Sequence, residues 1–362
     1  MEKKHAILSP SSADRWLVCT GSVLSAHIKT PSSPEAEEGT QAHALAEKIY
    51  NLKKSGKPVQ EEIDKISDVE MQLAVNDYIN FLASLGGEFT TECTISLEQV
   101  TGEEGAVCTI DAIHCDKINK IVNIVDFKYG VGSYIKADCN QLMLYVCAVF
   151  TKFKTLQDYE FRTYIFQPRL ENVSSYILRK DEILNKLAIF RASAARCLDV
   201  LFDREKPSFT PCVSSCRYCP KKGACSAQIL AVEEFLTRSS YDCTPADISS
   251  LYGKIKAVKD ACKNISDRAF ALAQKNLLPG YKIGKGRSLP RRWVDDNAAA
   301  MLAAFYGITN AIEKTEKIIS PTQLEKLYKS GEINNDQWNE FQKLIEKPEG
   351  NDTLVQDDIK RG

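Results

Sequence analysis

Long hydrophobic runs are missing from this sequence, and its first residues contain no apolar signal core. No run approaches the ~18–20 apolar residues that a membrane-spanning helix needs. The opening stretch MEKKHAILSPSS is polar, which is not typical of a secretory signal. We therefore expect a cytoplasmic protein without a membrane partner.

An excess of charge of one sign is missing as well. The chain of 362 residues has 47 basic and 48 acidic side chains, a formal net charge of −1. Hydrophobic residues make up 44%, and the 18 glycines and 13 prolines are few enough to exclude collagen-like and wholly disordered chains. At roughly 150 residues per domain, the length suggests about two domains. Neutrality leaves nucleic-acid binding open, because a patch can be basic in a neutral protein.

Cysteine is present in unexpected number, with 13 residues. In a reducing cytoplasm such cysteines do not form disulfides, so they are core residues or metal ligands. Four of them cluster in PCVSSCRYCPKKGAC, namely Cys212, Cys216, Cys219 and Cys225. This spacing indicates a metal site. The four could bind a structural zinc ion, or three could bind an iron–sulfur cluster together with one remote cysteine.

Hydrophobic periodicity predicts an α/β fold. The predicted helices cover residues 34–52, 60–85, 137–153 and 181–203, and the predicted strands cover 88–97, 106–115, 121–128, 159–167 and 173–178. This order predicts a mixed central sheet flanked by helices. We place a first domain at residues 1–230 and a mostly helical C-terminal region, which could bind DNA or a partner, at residues 231–362.

Two predicted strands each carry a carboxylate among apolar residues. Asp111 lies on the first and Asp126 on the second, and Lys128 shares a strand face with Asp126. A buried carboxylate must be paired or bind a metal. Oxygen ligands suit Mg²⁺ or Mn²⁺, and a lysine that orients or deprotonates a metal-bound water is typical of hydrolases. A surface ion pair between Asp126 and Lys128 is the alternative.

Polar residues on two predicted helices extend this set. Gln141 and Tyr145 are four apart, so they share a face and could bind a phosphate or hold the lysine. His43 and Glu47 are also four apart on an earlier helix. The histidine could be a further metal ligand with Glu47 behind it, or both could be structural.

The motifs EGTQAHALAE, TID, VDFK and QLMLY together resemble the PD-(D/E)XK nuclease superfamily, and within it the RecB-type branch. The resemblance implies a restriction-endonuclease-like sheet, although Ile110 stands where the name-giving proline would be. The metal ligands that it implies are His43, Asp111, Asp126 and the backbone carbonyl of Phe127. The other catalytic residues that it implies are Lys128, which would serve the attacking water, and Gln141 and Tyr145, which would contact the substrate or the lysine.

The cysteines are similar to those of the AddB-type branch and of the iron–sulfur nucleases of CRISPR adaptation. In those families one cysteine precedes the nuclease core and three follow it. The resemblance therefore implies a [4Fe–4S] cluster with the ligands Cys19, Cys216, Cys219 and Cys225. The alternative is Zn²⁺ at Cys212, Cys216, Cys219 and Cys225. Cys212 has no role if the cluster forms.

The start SPSSADRWLVCTGS also resembles a phage- and prophage-borne family of unknown function. We therefore expect a Mg²⁺- or Mn²⁺-dependent deoxyribonuclease, an exonuclease, that acts with phage recombination or replication proteins in the bacterial cytoplasm. A structure-specific endonuclease is one alternative, and a non-catalytic DNA-binding or scaffold protein with structural zinc is another. The predicted DNA-contact patch consists of Lys282, Lys285, Arg287, Arg291 and Arg292.

Overall fold

The chain forms two compact units, Met1–Gly284 and Lys285–Gly362. A computed structural model describes residues 6–28, 33–64, 68–238, 243–283, 325, 328–331 and 334–342. Within the second unit, a short helix carries Trp338, whose ring stacks on Tyr328 at 5.1 Å. The domain boundary after residue 230 stays a prediction.

A mixed five-stranded sheet is the centre of the first unit. Its strands are β1 Thr90–Ser96, β2 Val107–Asp116, β3 Ile121–Phe127, β4 Glu160–Gln167 and β5 Asn172–Leu178. They lie side by side in chain order, and only β3 and β4 are parallel. All five predicted strands are confirmed within one or two residues at most ends.

Helices flank this sheet, which confirms the predicted α/β class. The α-helices of the described residues are α1 Ala13–Trp16, α2 Pro34–Lys54, α3 Gln60–Asp64, α4 Val69–Ser84, α5 Glu98–Thr101, α6 Asn140–Lys152, α7 Lys180–Leu201, α8 Val213–Cys216, α9 Ser226–Arg238, α10 Pro245–Gln274 and α11 Asn335–Gln342. None of these helices has the length and apolar character needed to cross a membrane.

Two helix predictions differ from the structure. The single helix expected at 60–85 is α3 followed by α4, because Asp68 caps a new helix by accepting hydrogen bonds from the N–H groups of Glu70 and Met71. The helix expected from residue 137 begins at Asn140, since the backbone of Ala137 is bonded elsewhere. Its N–H donates to Ser174 and its carbonyl accepts from Thr163.

Hydrophobic cores cover both faces of the sheet. One contains α6 and α7 with Val122 and Ile124, and the other contains α2 and α4 with Val125 and Phe127. Neighbouring residues of a strand point to opposite faces, which is why the β3 sequence is apolar almost throughout. Asp126 therefore faces α6, whereas Phe127 faces α2.

The N-terminal segment packs against α7 and the residues that follow it. Trp16 is buried beside Phe190 of α7, with ring centroids 6.5 Å apart. The Gly21 N–H donates to the Ser208 carbonyl at 2.9 Å, and a Cβ at Gly21 would lie only 2.4 Å from the Phe209 ring. Glycine therefore permits this close approach, which brings Cys19 next to the segment after α7.

All thirteen cysteines are free thiols. Cys108, Cys147 and Cys197 are buried, as expected of core residues. Burial raises the pKa of the Cys108 and Cys147 thiols to about 12, so both are unreactive. Cys262 departs from the expectation that a cysteine outside the metal site is a core residue, because it lies exposed on α10.

Candidate functional site

Three carboxylates lie side by side on three neighbouring strands. Glu92 belongs to β1, Asp111 to β2 and Asp126 to β3. Asp111 and Asp126 each lie one position beyond the pair Ala112 and Val125, so they lie opposite each other. Glu92 lies between Thr91 and Cys93, whose partners are Ala112 and Ile110, so it also lies opposite Asp111. Folding of the sheet thus brings together three acids from separate parts of the sequence.

The sheet is irregular at this position. Glu92 has a φ of +48°, a left-handed conformation that costs a residue with a side chain roughly 1–2 kcal/mol. On β2, Ile110 packs in the α6–α7 core while Ala112 packs in the α2–α4 core, so the alternation of faces shifts at Asp111. Such distortions of a strand redirect side chains, here towards the histidine of α2.

His43, Glu92 and Asp111 form a group that we name the metal cluster. One ligand atom of each lies within 4.8 Å of the others. The Nδ1 atom of His43 lies 3.6 Å from Oδ2 of Asp111. Two carboxylates and one imidazole suit Mn²⁺, since imidazole is a less typical ligand for Mg²⁺.

A small cavity adjoins the metal cluster, and Tyr78 is one of the residues that line it. The ring of Tyr78 stacks on Phe127 with centroids 4.6 Å apart. Its buried hydroxyl has no hydrogen-bond partner among the described residues. An unsatisfied buried hydroxyl costs about 1–3 kcal/mol, so this cavity fits an ion or the water bound to one.

On the other side of the strands, Asp126, Lys128, Gln141 and Tyr145 form the lysine network. The ammonium of Lys128 lies 3.0 Å from Oδ2 of Asp126 and donates to Oε1 of Gln141 at 3.2 Å. The amide nitrogen of Gln141 donates to Asp126 at 3.0 Å and to the Tyr145 hydroxyl at 2.9 Å. Gln141 therefore holds both charged groups, and Tyr145 contacts Gln141 rather than the lysine.

Asp111 connects the metal cluster to the lysine network. Its Oδ2 accepts a hydrogen bond from the N–H of Phe127 at 2.8 Å. Phe127 is the residue between Asp126 and Lys128 in the chain. The Phe127 carbonyl, a predicted metal ligand, lies beside the His43 imidazole. The two groups are thus parts of one site.

Burial and charge set the protonation states in this site. Burial raises the pKa of Asp111, and the neighbouring Asp126 raises it further. Burial also lowers the pKa of His43, which keeps the imidazole neutral, as a metal ligand must be. For Lys128, burial would lower the pKa, but Asp126 and Asp111 outweigh it and hold the pKa above its ordinary value. Lys128 is therefore a cation and a hydrogen-bond donor.

The sequence did not reveal two of the residues in this site. Glu92 lies in TTECTIS, where it looks like a solvent-facing strand residue, and Tyr78 looks like a core aromatic on α4. Glu47, expected behind His43, does line the same cavity. The backbone irregularity that directs Glu92 inward has no marker in the sequence, since no glycine is present there.

The four cysteines predicted to hold an iron–sulfur cluster line one cavity. These residues are Cys19, Cys216, Cys219 and Cys225. Burial raises the pKa of Cys19, and the nearby Cys219 and Cys225 raise it further. Cys212 does not line this cavity. It is the N-cap of α8, and its sulfur accepts a hydrogen bond from the Ser215 N–H at 3.4 Å.

The spacing of the sulfur atoms bears on the local zinc hypothesis. Four Zn–S bonds of ~2.3 Å at tetrahedral angles would place the sulfurs roughly 3.8 Å apart. Among the described residues, no three cysteine sulfurs lie within 4.8 Å of one another. The zinc site and the iron–sulfur cluster both stay predictions.

A family model matches residues 5–362, almost the whole chain, and its description is "Protein of unknown function (DUF2800)". The chain belongs to this family. This agrees with the expected membership of a family of unknown function. The chain is also similar to a solved structure described as "Crystal structure of SSO0001", with 15% identity over 51% of this chain and 85% of that chain. Its TM-score of 0.23 carries no argument about function.

The predicted basic patch of this DUF2800 protein is described at one residue. Lys282 is exposed, eight residues beyond the end of α10. The other members of the patch lie outside the described residues; they are Lys285, Arg287, Arg291 and Arg292. A role of this patch in DNA binding stays a prediction.

Proposed function

We propose that this DUF2800 protein is a metal-dependent deoxyribonuclease, an exonuclease that hydrolyses phosphodiester bonds. The observation that carries this proposal is the hydrogen bond from Phe127 to Asp111, which joins the metal cluster to the lysine network. A metal site beside a positioned lysine is a combination suited to phosphodiester hydrolysis. The resemblance to RecB-type nucleases supports the same conclusion.

The residues of the site would have separate roles in this reaction. His43, Glu92 and Asp111 would hold Mn²⁺ or Mg²⁺, which when bound polarises the phosphoryl group and acidifies a bound water. Lys128 is a protonated donor that can hold the attacking water or balance phosphate charge. Gln141 fixes its position by bonding both Lys128 and Asp126. Asp126, buried and 1% exposed, keeps the ammonium charged.

A [4Fe–4S] cluster at Cys19, Cys216, Cys219 and Cys225 forms the second part of the proposal. The cavity that these four cysteines share supports it, and Cys212, the N-cap of α8, does not line that cavity. The cluster would serve as a structural link between the N-terminal segment and the end of the nuclease domain. A phage recombination or replication partner and a bacterial cytoplasmic location stay predictions.

Anaerobically purified protein, incubated with end-labelled linear DNA and with closed circular DNA, tests the activity. We expect linear DNA to be degraded, circular DNA to be spared, Mn²⁺ to support faster cleavage than Mg²⁺, and EDTA to stop the reaction. Cleavage of the circle would favour the endonuclease alternative. DNA binding without cleavage in any divalent cation would favour the scaffold alternative and contradict the proposal.

Replacing Glu92 with glutamine tests the metal cluster. Glutamine keeps the shape of the side chain and removes its charge, so a ligand of Mn²⁺ is weakened without leaving a cavity. We expect the Mn²⁺ concentration for half-maximal cleavage to rise at least tenfold, with activity partly recovered at saturating Mn²⁺. Residues that only hydrogen-bond to metal ligands already contribute about 10–100-fold to metal affinity. Loss of a ligand should therefore weaken Mn²⁺ binding at least tenfold.

The matched control is Glu104→Gln, an exposed glutamate in the turn before β2. This variant should show the Mn²⁺ dependence of the unmodified protein. An unchanged Mn²⁺ dependence in Glu92→Gln would exclude Glu92 as a ligand, and would leave His43, Asp111 and Asp126 as the candidate set.

A further inference from the structure

The loop of residues 129–139 begins and ends at the lysine network, because Lys128 precedes it and Gln141 follows it. The side chain of Gln167, at the end of β4, holds its backbone. Its amide oxygen accepts from the Ile135 N–H at 2.9 Å, and its amide nitrogen donates to the Ser133 carbonyl at 3.1 Å. Gln167 is itself buried.

Tyr134 lies between these two anchored residues and is 72% exposed. The hydrogen bonds on either side fix its backbone, while its ring contributes almost nothing to the core. A large aromatic ring that is held by a rigid backbone and left in water is suited to contact another molecule.

A second exposed tyrosine is joined to the same loop. The Arg217 guanidinium donates to the Ser133 hydroxyl at 2.9 Å and lies 5.3 Å from the ring of Tyr218, which is 73% exposed. Arg15 donates to the Tyr218 carbonyl at 2.8 Å and so fixes the backbone of this residue. The two exposed tyrosines thus flank the hydrogen bond between Arg217 and Ser133.

A groove of about 550 Å³ continues from Ser133 and Arg217 between α9 and α10. The cationic side chains that line it are Arg217, Lys222, Lys254, Lys256 and Lys263, and the acidic ones are Glu234, Asp260 and Asp267. Cations predominate, and those at the Ser133 end are Arg217 and Lys222. Phosphate groups are attracted to such a surface.

Exposed aromatic rings next to cations bind unpaired nucleic-acid bases by stacking. In a duplex, the base faces are covered by their neighbours, so only a single strand or a frayed end can use such rings. We infer that Tyr134, Tyr218 and Arg217 form a stacking platform that holds single-stranded DNA next to the lysine network. The inference deepens the proposed function and rests on it for the statement that the held strand is the substrate.

The test is the binding of a fluorescein-labelled oligothymidylate, measured by fluorescence anisotropy in EDTA so that no cleavage occurs. Replacing a stacking aromatic with alanine typically weakens binding about 5- to 150-fold. We therefore expect each of Tyr134→Ala and Tyr218→Ala to weaken binding at least fivefold. Tyr134→Phe and Tyr218→Phe should bind normally, because they keep the ring.

Two controls separate stacking from general damage. Phe202→Ala removes another exposed aromatic ring, at the end of α7, and should leave binding unchanged. The visible spectrum of each variant shows whether the cysteine site near Tyr218 is intact. A blunt duplex of equal length should bind with an affinity that does not depend on either tyrosine.

Equal binding by the alanine variants and the unmodified protein would overturn the platform. The platform would also be overturned if the alanine variants lost as much affinity for the duplex as for the single strand. Tighter binding of the matching oligoribonucleotide than of the oligothymidylate would overturn it as well. Hydrolysis of bis(p-nitrophenyl) phosphate in Mn²⁺ tests the metal chemistry separately, because it needs no bases. Tyrosine-dependent binding without this hydrolysis would refute the hydrolase and support the platform. Hydrolysis without tyrosine-dependent binding would support the hydrolase and refute the platform.

Discussion

Replacing Lys128 with methionine is expected to slow DNA cleavage by ~10²–10⁴-fold. Methionine keeps the aliphatic part of the side chain but removes the ammonium that Asp126 and Gln141 hold in place. Positioned donors and proton-transfer groups in active sites contribute rate factors of this size. The measurement is single-turnover cleavage of end-labelled linear DNA in saturating Mn²⁺.

The same change leaves Asp126 buried without its ion partner, so stability must be followed too. Breaking a buried pair costs about 3–5 kcal/mol, and less here because Lys128 is partly exposed. The double variant Asp126→Asn, Lys128→Met removes both charges and should recover most of the lost stability in urea unfolding while staying inactive. This result would separate a loss of chemistry from a loss of fold.

The matched control is Lys180→Met, which removes an exposed lysine paired with Asp158 at 3.0 Å. Exposed pairs contribute about 0–1 kcal/mol, so both activity and stability should be unchanged. Cleavage by Lys128→Met at a rate within a few-fold of the unmodified protein would show that the lysine network is structural.

Replacing Cys19 with serine is expected to remove the visible colour of anaerobically purified protein and to lower its free energy of unfolding by roughly 4–5 kcal/mol. The proposed cluster links Cys19 to Cys216, almost 200 residues later. A covalent link that closes so long a loop restricts the unfolded chain strongly. Absorbance near 400 nm, iron content and urea unfolding measure the two effects.

Two further cysteine variants make this result specific. Cys212→Ser should keep the colour and most of the stability, since Cys212 caps α8 and a serine can cap a helix as well. Cys262→Ser, exposed on α10, should behave like the unmodified protein. A different result would establish the local zinc site instead. In that case the unmodified protein would be colourless with one zinc ion per chain, and the zinc would be lost in Cys212→Ser but kept in Cys19→Ser.

Much of the fold could be predicted from the sequence, because the strands carry a strong local pattern. IVNIVDF is apolar on both faces, as expected of the central strand β3 between two cores. The spacing of Gln141 and Tyr145 predicted a shared helix face, and the structure joins them by a hydrogen bond. Both predictions concern residues in regular strands or helices, whose faces follow from their spacing in the sequence.

The rest of the site depends on departures from regular geometry. Simple alternation along β1 gives no reason for Glu92 to point at His43; the left-handed backbone at Glu92 does that. The shift of faces between Ile110 and Ala112 is equally invisible in the sequence. The role of Cys212 was missed because spacing groups it with Cys216, whereas capping geometry separates it from the other cysteines.

The contact of Gly21 with Ser208 joins two segments that the ribosome makes at well-separated times. A ribosome releases Trp16 long before it makes Phe190 of α7, against which Trp16 is buried. Until α7 is made, Trp16 lacks its partner ring and is less buried than in the folded protein. Completion of the first domain is therefore a late event in synthesis, and a chain cut short before residue 208 exposes a surface that chaperones and proteases recognise.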